Sequence, residues 1–177
     1  MLDRYRELAA KVDAFFARVE ARHRGDLRCA AGCHDCCLTR LTVTGLEADA
    51  IAEGVAALPA DRRAALAATA RRPEVAGAPR CAALADDGRC LIYEVRPLVC
   101  RSHGLPIRLE RRGLPVVESC FKNFTERGPA AADPDCILDQ TTLSTTLGLL
   151  DRAHAAAAGR PAGERIDLAA LLVERTA

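Results

Sequence analysis

The sequence predicts a mainly α fold with small β-hairpins, in which four to five helices pack an irregular, metal-organised, cysteine-rich core. Three observations carry this reading. Apolar residues recur at helical spacing near the N-terminus. Side-chain caps precede three further apolar stretches. Nine cysteines crowd the middle of a chain of 177 residues. A chain this long suits one domain over 1–177, because a single core stops growing only beyond roughly 250–300 residues.

Leu2, Tyr5, Leu8, Val12, Phe15 and Val19 fall on one face of a helix, so residues 2–22 are expected to form an amphipathic packing element. Thr44-Gly45-Leu46-Glu47 is a capping box and starts a helix over 45 to about 57. Pro59 and Asp61 start another that runs to Arg72, and Pro73 and Pro79 bracket a loop. Cys81 to Tyr93 reads as a hairpin, with Asp86-Asp87-Gly88 as its turn and Leu91-Ile92-Tyr93 as its return strand. Pro97 permits a short helical turn carrying Cys100. Ile107–Glu110 and Leu114–Val117 suit a second hairpin, and residues 121–136 suit a loop. Asp139 caps a helix over 140–156 and Asp167 one over 168–175. Residues 139–175 thus form a C-terminal packing element, with Ala155–Gly163 as a linker and the last helix as an appendage.

Half of the residues are hydrophobic and 28% are charged, which excludes a disordered or fibrous chain. The net charge is +1 and aromatics are only 3%. Neither a basic field nor a stacking surface supports nucleic-acid binding, and no membrane association is expected. The charged start Met1-Leu2-Asp3-Arg4 and the lack of a long apolar run predict a cytoplasmic protein. In that compartment disulfides seldom persist, so clustered thiols point to metal or redox chemistry.

The first thiol group is Cys29-x3-Cys33-x2-Cys36-Cys37. The second is Cys81-x8-Cys90-x9-Cys100, and Cys120 and Cys136 follow singly. If residues 29–37 are helical, adjacent Cys36 and Cys37 diverge by about 100° and would serve different metals, or one metal and one hydrogen-bonded thiol. If Gly32 breaks the helix, the group forms a chelate loop. Thiolates are the soft ligands that select zinc or iron–sulfur clusters, and four of them close a zinc site or hold one cubane. Bringing residue 37 to residue 81 costs about 3 kcal/mol of loop entropy. A structural zinc contributes about 10–16 kcal/mol, enough to organise the whole segment.

These groups, with Asp87-Gly88-Arg89-Cys90-Leu91-Ile92-Tyr93-Glu94-Val95-Arg96-Pro97-Leu98-Val99-Cys100-Arg101, resemble the YkgJ-type cysteine-cluster proteins, a family named for a CxxCxxCC motif and described as zinc- or iron-chelating. The resemblance covers about residues 25–120. It departs in the three-then-two spacing of the first group, and in Cys81-Ala82-Ala83-Leu84 where Cys-Pro-Phe-Leu is usual. It implies a ligand pool of Cys29, Cys33, Cys36, Cys37, Cys81, Cys90, Cys100 and Cys120, in one site or two. Pairing the tight first group with Cys90 and Cys100 is one arrangement. Cys136 lies outside the motif, so Cys136→Ala is expected to leave metal content unchanged, whereas Cys36→Ala is expected to lose metal. The three-then-two spacing also resembles that of radical S-adenosylmethionine enzymes, but no βα repeat accompanies it.

Arg96 and Arg101 flank Cys100 and would offset the negative charge of a thiolate centre as cofactor-binding residues. His34 and His103 are further candidate ligands, whereas His23 and His154 are expected on helix surfaces. The cofactor expected is an iron–sulfur cluster of [4Fe–4S] type or zinc. The expected role is redox, sensing or accessory, with a protein or electron-transfer partner. The alternatives are a protein-modifying enzyme, because similar modules occur within flagellin lysine methylases, and a purely structural zinc module. No catalytic residue is assigned.

Overall fold

The structure is a computed structural model that describes residues 1–73 and 75–177. In chain order its helices are α1 (Leu2–His23), α2 (Gly45–Ala56), α3 (Ala60–Ala70), α4 (Leu98–Ser102), α5 (Gln140–Ala157) and α6 (Leu168–Arg175). Its strands are β1 (Thr42–Thr44), β2 (Ile107–Arg111), β3 (Leu114–Glu118), β4 (Leu138–Asp139) and β5 (Arg165–Asp167). The fold is therefore mainly α with two small sheets. The chain divides into two compact units, one built from residues 31–97 and 150–177, the other from 3–30 and 98–149.

In the first unit, β1 and β5 pair antiparallel, Val43 opposite Ile166. Each strand runs directly into a capped helix. Thr44 accepts from the Glu47 backbone N–H at 3.3 Å and its own N–H donates to Glu47 Oε2 at 3.0 Å, the expected capping box. Asp151 adds a second cap to α2, accepting the Leu46 N–H at 3.0 Å. Asp167 caps α6 through the Ala170 N–H at 2.9 Å. Two helix starts are thus fixed side by side, and their apolar faces close one core. That core holds Val43, Ile51, Val55, Leu66, Leu84, Ile92, Leu168 and Leu172, together with Cys81. The last helix is consequently part of a core and not an appendage.

The stretch expected to be a linker is the ordered end of α5. Ala155 is buried, the Arg160 N–H returns to the Ala155 carbonyl at 2.9 Å, and Arg160 joins His154 on the Asp49 carboxylate, each at 2.7 Å. Burial pushes the Asp49 carboxyl up, but its hydrogen bonds with His154 and Arg160 and the Arg160 charge outweigh it and hold it below the usual carboxylate range. His154 is therefore partnered, not a free surface histidine.

Gly54 marks the closest packing in this unit. A Cβ there would lie 2.3 Å from Val95 Cγ1, on the turn that follows Cys90. Gly54→Ala is expected to destabilise by about 1–3 kcal/mol through overpacking, despite alanine's better helix propensity. Chemical denaturation checks it, and Gly54→Ala with Val95→Ala should recover most of the loss.

In the second unit, β2 and β3 form the expected hairpin, turning at Arg112 and Gly113, both with positive φ (52° and 79°). This is the signature of a tight two-residue turn. β4 joins β2 in parallel, Ile107 opposite Leu138. The 121–136 segment is loop with short 3-10 turns. Asp139 caps α5 by accepting the Thr142 N–H at 2.7 Å. The core here comprises Val19, Leu27, Leu105, Phe124, Ala132 and Cys136. His23, expected at the surface, is 6% exposed and packs its ring 5.5 Å from that of Phe124. Among the described residues no helix is long and apolar enough to cross a membrane.

Candidate metal centre

The first cysteine group is not a helix. Gly32 has φ +87° and breaks the chain direction, and only Asp35–Cys37 form a single 3-10 turn. The chelate-loop alternative is the one adopted. In this turn the Cys36 thiol acts directly on that of Cys37 and pushes it up. The loop is joined to the second group through the main chain, where the Cys81 N–H donates to the Cys37 carbonyl at 2.7 Å. That bond closes the 44-residue excursion between the groups.

Residues 81–95 are a compressed hairpin, not the regular one expected. A single bridge links Leu84 to Cys90, with Ala85 N–H to Arg89 O and Leu91 N–H to Ala83 O both at 2.9 Å. Leu91 and Ile92 then turn, and Tyr93–Val95 form a 3-10 turn in place of a return strand. The Ile92 carbonyl accepts the Val95 N–H at 3.0 Å, which closes that turn. The N–H groups of Ile92 and Ala83 lie near the Cys90 and Cys81 sulfurs and work against the effect of burial on those thiols. Arg72 grips both oxygens of Asp86 at 2.7 Å, and Arg80 donates to the Leu84 and Ala85 carbonyls. These contacts fix the tip. Gly88 is required there: it has φ +80°, and a Cβ would lie 2.9 Å from His34 Nδ1 and 3.0 Å from the Gly32 carbonyl. The tip of the second group thus rests on the loop of the first.

Cys36, Cys37, Cys81 and Cys90 are thus neighbours in one unit, each near enough for its charge to act on others. The thiol of Cys37 is pushed far up by its hydrogen bond with Cys36, then by burial and by the neighbouring thiolate charges. Burial pushes Cys81 and Cys90 up, opposed by the N–H groups of Ala83 and Ile92 and, at Cys90, by Arg96. Cys81 is seated in the core, whereas Cys36 is exposed. The cluster therefore has one wall of apolar packing and one edge in solvent. Arg96 stacks over Tyr93 at 3.9 Å and donates to its carbonyl at 2.8 Å. His34 Nδ1 lies 2.8 Å from the Gly32 carbonyl, and Cys33 is exposed in the same unit.

Cys29, Cys100 and Cys120 belong to the other unit. Cys29 and Cys120 are tied together by Asn123, which sequence reasoning missed. It is buried, donates to Cys29 Sγ at 3.3 Å and to the Gly104 carbonyl at 2.8 Å, and accepts the Arg28 N–H at 2.8 Å. Its own N–H donates to the Cys120 carbonyl at 2.8 Å. Cys100 sits on α4 beside Arg101, which is buried and ion-paired with Asp13. Gly104 has φ +96°, and a Cβ there would lie 2.6 Å from Cys29 Sγ. Gly104→Ala is expected to displace the Cys29 thiol, read as a several-fold faster reaction of one thiol with a maleimide; an unchanged labelling rate would contradict this packing.

The chain matches no curated protein and no solved structure. It does match the model of the CxxCxxCC family, described as a "Putative zinc- or iron-chelating domain", over residues 28–121. That span contains every cysteine except Cys136. It covers the loop, the compressed hairpin and α4, and it exceeds half the chain: this protein belongs to the CxxCxxCC family of metal-chelating domains.

Proposed function

We propose that Cys36, Cys37, Cys81 and Cys90 are the ligands of one four-thiolate centre of iron–sulfur type, serving a redox, sensing or accessory role. The carrying observation is that one main-chain bond, from the Cys81 N–H to the Cys37 carbonyl at 2.7 Å, joins the two cysteine groups, whose thiols act on one another through their charges. The N–H groups of Ala83 and Ile92 act on the Cys81 and Cys90 sulfurs. Such N–H donors stabilise thiolate and tune a bound centre. Arg96 beside Cys90 offsets part of the charge, near −2, that four thiolates leave on a divalent ion. The solvent edge at Cys36 gives a protein or electron-transfer partner access, and exposure together with hydrogen bonds to sulfur sets the potential of an iron–sulfur centre.

A zinc centre is the second reading, favoured by the same N–H groups, which suit a closed tetrahedral site. The test is metal and acid-labile sulfide per chain, with a visible spectrum, on protein purified without oxygen. Iron with matching sulfide and a band that dithionite bleaches is the expected result. Zinc in a colourless solution overturns the iron–sulfur assignment. Full metal content in Cys36→Ala removes that residue from the ligand set. More than one centre per chain would bring in the remaining thiols that the resemblance implies, Cys29, Cys33, Cys100 and Cys120.

A further inference from the structure

Beyond the family motif, the second unit gathers a different donor set. His23, Asp133 and Cys136 present one ligand atom each, all within 4.8 Å of one another. We propose that these three residues form a separate site for a single divalent zinc-like cation, independent of the four-thiolate centre.

The geometry is close to that of a formed site. Bonds of about 2.0–2.3 Å to nitrogen, oxygen and sulfur in a tetrahedron place neighbouring donors roughly 3.3–3.7 Å apart. His23 Nε2 and Asp133 Oδ2 are 3.6 Å apart. Asp26 lies behind the imidazole, on the side where metal-binding histidines carry a carboxylate: His23 Nδ1 faces Asp26 Oδ2 at 3.7 Å, and Asp26 is itself held by Arg127. That leaves Nε2 toward Asp133 and Cys136. Its present partner is the Asp133 N–H at a long 3.3 Å, a contact a cation would replace.

Charge agrees with this assignment. One imidazole, one carboxylate and one thiolate neutralise a divalent ion, with the Cys136 proton passing to solvent. Arg22 binds mainly Asp135, at 2.7 and 2.8 Å, and reaches Asp133 Oδ2 only at 3.5 Å, a long contact that a cation at that oxygen would displace. The nitrogen, oxygen and sulfur set suits zinc better than calcium or magnesium. His23 and Cys136 are buried, whereas the Asp133 side chain is 51% exposed, giving an entry path and room for a water as fourth ligand.

Cadmium NMR on the full chain, titrated with Cd²⁺ alone, tests this. A site with one sulfur resonates far upfield of one with several, so the two centres are read separately. Wild type is expected to give a one-sulfur signal that is lost in Cys136→Ala and in His23→Gln, with any multi-thiolate signal unchanged. Asp26→Asn, which only loosens the ring, is expected to weaken binding about 10–100-fold. No one-sulfur signal in wild type, or its survival in both ligand variants, overturns the proposal and leaves His23 and Cys136 as core packing. Should the buried variants not fold, exposed Asp133→Asn decides: an unmoved signal overturns the site. Failure of the four-thiolate reading is seen separately, in the metal and sulfide content per chain.

Discussion

Cys90→Ala is expected to purify with little or no metal at the four-thiolate centre and to lose the stabilisation that metal gives the wild-type chain. A four-thiolate zinc contributes about 10–16 kcal/mol, so one ligand is worth about 2.5–4 kcal/mol, or roughly 10²–10³-fold in affinity. Packing makes a smaller demand. Cys90 lies at the edge of the first unit's core, and replacing its thiol by a methyl costs about 1 kcal/mol there. The two contributions separate when wild type and variant are each melted with and without metal. The metal-free pair should differ little and the metal-loaded pair by many degrees. Cys33→Ala is the companion control, because that thiol is exposed and stands outside the set of four. Wild-type metal content in Cys90→Ala would remove the residue from the site. An equal loss in Cys33→Ala would enlarge the set.

The parts of this fold that carry their own local signal were legible in the sequence. The capping box at Thr44, the carboxylate caps at Asp139 and Asp167 and the apolar stripe of α1 are each written within a few residues. β1, β4 and β5 were not legible, since strands of two or three residues are too short to display alternation. Their pairing depends on partners more than 100 residues away or, for β4, on a parallel neighbour. The return strand expected at Leu91–Tyr93 failed for another reason. Its β-forming side chains are real, but the Ile92 carbonyl accepts the Val95 N–H and closes a 3-10 turn that seats Leu91 and Ile92 against the core. Local propensity yielded there to packing. His23 shows the complementary failure. The last turn of a polar helix reads as surface, and only the return of Phe124, 101 residues later, buries it. The thiol types and their grouping were legible. Which four are neighbours was not, because Gly32 redirects the first loop and the Cys81–Cys37 main-chain bond chooses the register.

Metal uptake is expected to release three to four protons per four-thiolate centre near neutral pH. Cys37, Cys81 and Cys90 all have thiols pushed above their ordinary range, Cys37 first by its hydrogen bond with Cys36 and the other two by burial. These three are therefore held as neutral thiols without metal, while a bound cation needs thiolates. Each proton displaced adds one to the slope of log affinity against pH, so affinity should rise about 10³–10⁴-fold per pH unit around neutrality. The metal-free fold carries the opposite sign. A thiol whose value is higher folded than unfolded favours the fold below the unfolded value, and that contribution is lost as pH rises through the folded one. Metal-free protein should accordingly weaken in alkali, above the ordinary thiol range of about 8.5. Metal-loaded protein, whose thiolates are already paired with a cation, should not. Proton release measured in a weakly buffered titration checks the first statement, and denaturation of both forms across pH checks the second. Release of one proton or fewer would mean that the thiols are already ionised, and that the N–H groups of Ala83 and Ile92, with Arg96, outweigh burial at these sulfurs.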